Sequence, residues 1–137
     1  MRDRDTNKQN VSLRAEQLER ALKTLEQIID EPMREDRSNV DASIHRFEFT
    51  FELFWKLLKG LLESEGIDKH SPKQILIAAY SAYMINDEKI WLAMLEDRNN
   101  TSHTYKEKLA DEIYLRIKKY VKVLRSEFED LKKKYEL

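Results

Sequence analysis

Apolar residues recur along this chain at steps of three and four, and the pattern predicts helix after helix. Leu18, Leu22, Leu25 and Ile29 form a first stripe that Pro32 ends, because proline cannot continue the backbone ladder. After the polar connector "REDRSN", Ile44, Phe47, Phe51, Phe54, Leu58 and Leu61 repeat the spacing from about Val40 to Ser64. Gly66 follows, suited to the left-handed residue that closes a helix. This second helix is the most aromatic.

"SPKQ" at 71–74 reads as a capping box with proline at the first helical position, and it opens a third helix reaching to Tyr83. Asn86 or Asp87 can cap a fourth, on which Trp91, Leu95 and Arg98 share one mostly apolar face. A second capping box, Thr104-x-x-Glu107, predicts the start of a last helix with the stripe Leu109, Ile113, Ile117, Tyr120, Leu124, Phe128, Leu131 and Tyr135. A stripe of that length fits a helix that crosses the whole domain or packs against a second copy, so a homodimer is expected. Residues 1–11 carry no such periodicity and are expected to be flexible, which leaves 12–137 as a single helical domain.

Composition agrees with an all-α fold. Two glycines, two prolines and 37% charged residues favour long helices over sheets. The formal charge of −1 supplies no global pull toward nucleic acid, so any RNA has to be held locally. The absence of cysteine excludes disulfides and thiolate sites. The polar start "MRDRDTNKQN" has no apolar signal core, and no apolar run is long enough to span a bilayer, so a soluble, cytoplasmic protein is expected, with no membrane partner. The lysines of "KKYVKVLRSEFEDLKKKYEL" alternate with the apolar stripe and read as a solvated face.

The candidate chemistry lies in "RNNTSHTY", residues 98–105. Five positions on one helix would set Arg98 and His103 roughly 140° apart. A break before Thr104 turns the spacing into a corner where the two side chains can converge. An arginine offers phosphate a fixed fork of donors, and a histidine moves protons near neutrality. Together they suffice for metal-free RNA cleavage, the imidazole serving a ribose 2′-hydroxyl or a 5′-leaving oxygen and the guanidinium stabilising charge on phosphorus.

Each residue also has a plainer use. Arg98 can pair with Glu96 or Asp97, His103 can be an ordinary surface residue, and Tyr105, four positions before Leu109, can be the first residue of the core stripe. His45, His70 and His103 are too scattered for a zinc or di-iron site, and there is no Gly-rich phosphate loop, so neither a metal nor a cofactor is expected.

The octet also forms an R-x4-H-x-Y motif from Arg98, His103 and Tyr105, with Asn99 and Ser102 as supporting polar positions. In front of it stands "HRFEFTFELFWKLLK" (His45–Lys59), and "SPKQILIAAY" and "WLAMLEDRNNTSHTY" follow in order. With these blocks the chain resembles the HEPN superfamily over about residues 12–130, in particular the small nucleotidyltransferase substrate-binding proteins related to the HepT toxins. The resemblance implies an up-and-down bundle of four to five helices that pairs as a homodimer, with Arg98 and His103 of both copies facing a shared cleft that takes RNA or a nucleotide. It further implies a separately encoded minimal nucleotidyltransferase as partner. Two activities go with it: a metal-independent ribonuclease toxin silenced by adenylylation of Tyr105, or a non-catalytic subunit that holds a nucleotide or substrate for the nucleotidyltransferase.

Overall fold

A computed structural model describes residues 2–137, with side chains from Thr6 onward. Within that span the chain is all-α: α1 (Arg2–Asp30), α2 (Ser38–Ser64), α3 (Pro72–Ser81), α4 (Glu88–Asn99), a 3-10 turn (Asn100–His103) and α5 (Glu107–Tyr135). The apolar stripes become one continuous core, in which Leu18, Leu22, Leu25, Phe47, Phe51, Phe54, Ile113, Ile117, Leu124 and Phe128 are fully buried. Helix α2 is the hub and packs against each of the other elements. Its aromatic face explains this: Phe54 meets Trp91 of α4 edge-on at 4.7 Å and Phe128 of α5 at 6.2 Å.

Local signals predict most helix ends. The Ser71 hydroxyl accepts from the Gln74 backbone N–H at 3.2 Å, Asp87 caps α4 through Ile90, and Gly66 takes the left-handed conformation after α2 with φ of 78°.

The first helix differs from the expectation of a start near Ser12, because α1 is already helical at Arg2. A long-range fit supports the added turns. Val11 is buried against Gly60 of α2, where even a methyl group in place of the glycine hydrogen would approach the Val11 side chain to 3.0 Å. The Asn7 amide donates to the Gly60 carbonyl and the Ser64 hydroxyl. A glycine on the facing helix leaves no mark in the periodicity of residues 1–10.

The expected solvated face of α5 also holds a network that joins it to α1. Arg125 donates to Glu19 and Glu26 of α1 and to Glu129, and Lys132 adds contacts to Glu19 and Glu129. The cations hold the Glu19 and Glu129 carboxyls below the ordinary glutamate range.

Glu127 of α5 braces the loop in front of α4. It is buried, its Oε1 accepts from the Asn86 backbone N–H at 3.1 Å, and its Oε2 has no partner among the described residues. Burial pushes this carboxyl above its ordinary pKa against the pull of the Asn86 hydrogen bonds. A raised carboxyl binds its proton more tightly folded than unfolded, so its stabilising effect is present at low pH and is lost as pH rises through the folded-state value. Glu127→Gln keeps an acceptor for Asn86 and removes the titration. It is expected to stabilise the fold by about 1 kcal/mol at neutral pH and by much less at about pH 4. Thermal unfolding at the two pH values checks this, and an equal shift at both would contradict it.

Candidate functional site

Helix α4 runs from its Asp87 cap to Asn99 and tightens directly into the 3-10 turn at Asn100–His103. The last helix begins only at Glu107, after Lys106, with no side-chain cap. The expected Thr104-x-x-Glu107 capping box is therefore not formed. The Thr104 hydroxyl donates back to the Thr101 carbonyl at 2.9 Å, and Glu107 is drawn to Arg37 at 3.3 Å, a left-handed residue in the α1–α2 connector that also pairs with Asp111. An ion pair across the bundle has taken the carboxylate that the box required. Tyr105 accordingly lies in the connecting turn, not on the first turn of α5, and no helix N-terminus supports an anion there.

Arg98 sits at the edge of the buried face of α4, with 34% of its side chain exposed. Its NH2 donates to Glu52 Oε2 at 3.2 Å, whereas its Nε is buried without an acceptor among the described residues. The same Glu52 oxygen accepts from the Trp55 indole N–H at 2.9 Å, and Lys56 lies 3.7 Å from the other oxygen. One turn earlier on α2, Glu48 accepts from the Thr101 hydroxyl at 3.0 Å, and that hydroxyl also lies 2.7 Å from the Arg98 carbonyl oxygen. Glu48, Glu52 and Trp55 follow one another at helical steps, so a single flank of α2 holds both the end of α4 and the 3-10 turn.

The pairing of Arg98 with Glu96 or Asp97 does not occur. Asp97 points the other way, because adjacent helix positions differ by about 100°. Buried at 4% exposure, it accepts from Arg116 at 2.7 and 2.8 Å and from the Tyr120 hydroxyl at 2.6 Å. This cluster pins the last turn of α4 to α5 and fixes the direction in which Arg98 leaves the helix.

His103 is exposed, and Tyr105 is 77% exposed, which corrects the reading of Tyr105 as the first core residue; the buried stripe begins at Ala110. The two rings meet edge-on with centroids 6.1 Å apart, and the Lys106 ammonium lies 6.0 Å from the Tyr105 ring. Asn99 and Ser102 are exposed beside them. Among the described residues no hydrogen bond joins Arg98 to His103: Arg98 is tied to α2, and His103 neighbours Tyr105. The edge thus offers a fixed guanidinium, an accessible imidazole and an accessible phenol within one short stretch of chain. A groove of about 690 Å³ lies elsewhere, between α1 and α5, and none of the three residues lines it.

The sequence singles out Arg98, His103 and Tyr105 as a motif but does not show which residues support them. Glu48, Glu52 and Trp55 were visible only as a block of matching residues, although their spacing already put them on one flank. Thr101 gave no signal beyond its place inside the octet.

Residues 13–133 match the family model described as nucleotidyltransferase substrate binding protein like. A Haemophilus influenzae protein named probable ribonuclease HepT is 34% identical over 83 residues, and the matched region covers 57% of this chain and 57% of that protein. The chain thus spans little more than half the length of that relative. A crystal structure from Thermus thermophilus superposes with a TM-score of 0.76 at 36% identity, covering 83% of this chain and 98% of the other. A Haemophilus influenzae structure, described as revealing the fold of a substrate binding domain of a nucleotidyltransferase, gives 0.75 at 28% identity, covering 86% and 98%. No helix among the described residues is long and apolar enough to cross a membrane. The five-helix fold, the order of the motif blocks and the match over nearly the whole chain agree, and the chain belongs to the nucleotidyltransferase substrate binding protein like family.

Proposed function

We propose that this chain is the ribonuclease subunit of a two-component module, cutting RNA without a metal through Arg98 and His103 and silenced by transfer of AMP to Tyr105. The observation that carries this reading is the open edge itself, where Arg98 is held by Glu52 at 3.2 Å while His103 and Tyr105 stand exposed on the adjoining turn. His103 takes the proton of a ribose 2′-hydroxyl, whose oxygen attacks the neighbouring phosphorus. The bond to the 5′-oxygen breaks, leaving a cyclic phosphate and a 5′-hydroxyl, and Arg98 stabilises the charge that builds on the phosphoryl oxygens. The leaving oxygen also needs a proton. One histidine serves one of the two transfers, so a homodimer with two copies of the edge at a shared cleft supplies the second.

A minimal nucleotidyltransferase is the proposed partner and antitoxin. The Tyr105 oxygen attacks the α-phosphorus of ATP, pyrophosphate leaves, and the phenolic proton passes to a base of the partner. The adduct carries a negative phosphodiester beside the His103 ring and the Lys106 ammonium, where it obstructs the approach of an RNA phosphate.

The second reading, a non-catalytic subunit that holds a nucleotide for the nucleotidyltransferase, is favoured by the description of the Haemophilus influenzae structure as a substrate binding domain. Incubation with the nucleotidyltransferase and ATP, followed by intact mass, separates the two. Addition of one or more AMP units is expected on the wild-type chain and none on Tyr105→Phe, which is expected to keep its cleavage activity. AMP mapped to another residue would overturn the silencing mechanism, and a stable complex without any mass change would favour the binding subunit.

A further inference from the structure

We propose that Trp55 is the base platform of this edge: single-stranded RNA with a phosphate on Arg98 stacks the adjoining nucleobase on the Trp55 indole. The inference rests on the reading of Arg98 as a phosphate ligand and adds a second, base-binding subsite on α2.

The chain has two tryptophans, and they are placed differently. Trp91 is fully buried against Phe51 and Phe54, and packing accounts for it. Trp55 is only partly buried, on the flank of α2 one position past the core residue Phe54. Its indole N–H is bonded to Glu52 Oε2, the oxygen that also accepts from Arg98 NH2. The two donors are therefore no further apart than two hydrogen-bond lengths. A single carboxylate orients both the aromatic plane and the guanidinium, so neither has to be ordered when a ligand arrives.

The Lys56 ammonium lies 5.9 Å from the Trp55 ring centroid, and 45% of the Lys56 side chain is exposed. Lys56 lies over the ring, so an incoming base takes the place of this half-exposed, flexible side chain, whose ammonium can then pair with a flanking phosphate. Unpaired bases offer their faces in this way, whereas bases stacked in a duplex do not. Every base has a π-face, so the subsite takes single-stranded RNA with little sequence preference.

The test uses a short oligouridine, 2′-O-methylated to block cleavage, and the same backbone with abasic spacers, each titrated onto the full chain by fluorescence anisotropy. The wild type is expected to bind the base-bearing strand about tenfold more tightly than the abasic one. Trp55→Ala is expected to erase that difference and leave abasic binding unchanged. Trp55→Phe retains a ring without the N–H and is expected to keep most of the difference, which guards against reading a folding defect as a lost subsite. Equal weakening of both strands by Trp55→Ala would mean that Trp55 acts only through Glu52 on Arg98, and the platform would be wrong. A wild type that binds both strands equally would also sink it. Arg98→Ala addresses the underlying reading separately: it is expected to weaken both strands, and no effect on either would remove Arg98 as the phosphate ligand while the base-to-abasic ratio still decides on Trp55.

Discussion

His103→Ala is expected to abolish RNA cleavage while leaving the fold intact, with a loss of about 10²–10⁴ in rate. In the proposed mechanism the imidazole transfers the proton, and it is exposed on a 3-10 turn that contributes no buried residue, so its removal creates no cavity. Arg98→Ala is expected to cost about 10²–10³ in rate, the scale for loss of one fixed donor to a developing anion. Its structural cost is small. The Arg98–Glu52 pair is about one-third exposed on both sides, where an ion pair contributes about 1 kcal/mol or less, and Glu52 keeps its bond to Trp55. Gel-resolved cleavage of single-stranded RNA, with circular dichroism of the same samples, checks both variants. Cleavage at the wild-type level by either would remove that residue from the mechanism. Sedimentation at micromolar concentration accompanies this test, and a strict monomer would exclude a cleft built from two copies.

The largest effect on stability is expected at Asp97, a buried residue that faces α5 and not the open edge. Asp97→Ala leaves the Tyr120 hydroxyl buried without an acceptor and Arg116 without its bidentate partner. Arg116 is 44% exposed and can turn to water, so the loss falls at the lower end of the range for a broken buried pair, about 3 kcal/mol. Burial, and then the hydrogen bond to Asp97, raises the Tyr120 pKa well above that of an ordinary phenol, so the hydroxyl remains a donor throughout the accessible pH range. Tyr120→Phe removes one donor and leaves the Arg116 pair, with an expected cost of about 1 kcal/mol. Urea unfolding measures both changes, and a loss below about 0.5 kcal/mol for Asp97→Ala, the range of ordinary surface substitutions, would show that the cluster is not a structural clasp. Because Asp97 immediately precedes Arg98, the variant is also expected to loosen the arginine, and cleavage should fall along with stability.

The sites differ in how far they could be read in advance. The stripe on the last helix was legible residue by residue, and Ile113, Ile117, Tyr120, Leu124, Phe128 and Leu131 are all buried. The Ser71 cap was equally legible, since donor and acceptor are three residues apart. Thr104 carried the same kind of signal and did not cap, because its expected partner Glu107 has a competing guanidinium from Arg37. Arg98 had two acids within two positions and bonded to neither, choosing a carboxylate 46 residues away in the sequence.

The sequence by itself determined the all-α fold, the approximate extent of α2 to α5 and the R-x4-H-x-Y motif of Arg98, His103 and Tyr105, because helical periodicity and a short motif are local properties of the chain. Only the tertiary structure decided where α1 begins, that Tyr105 stands in an open turn, and which carboxylate holds Arg98. The physical reason is competition. A cap or neighbouring ion pair is worth about 1 kcal/mol, so whichever partner the packed helices bring closest takes the side chain, and that choice is made by contacts between distant parts of the chain.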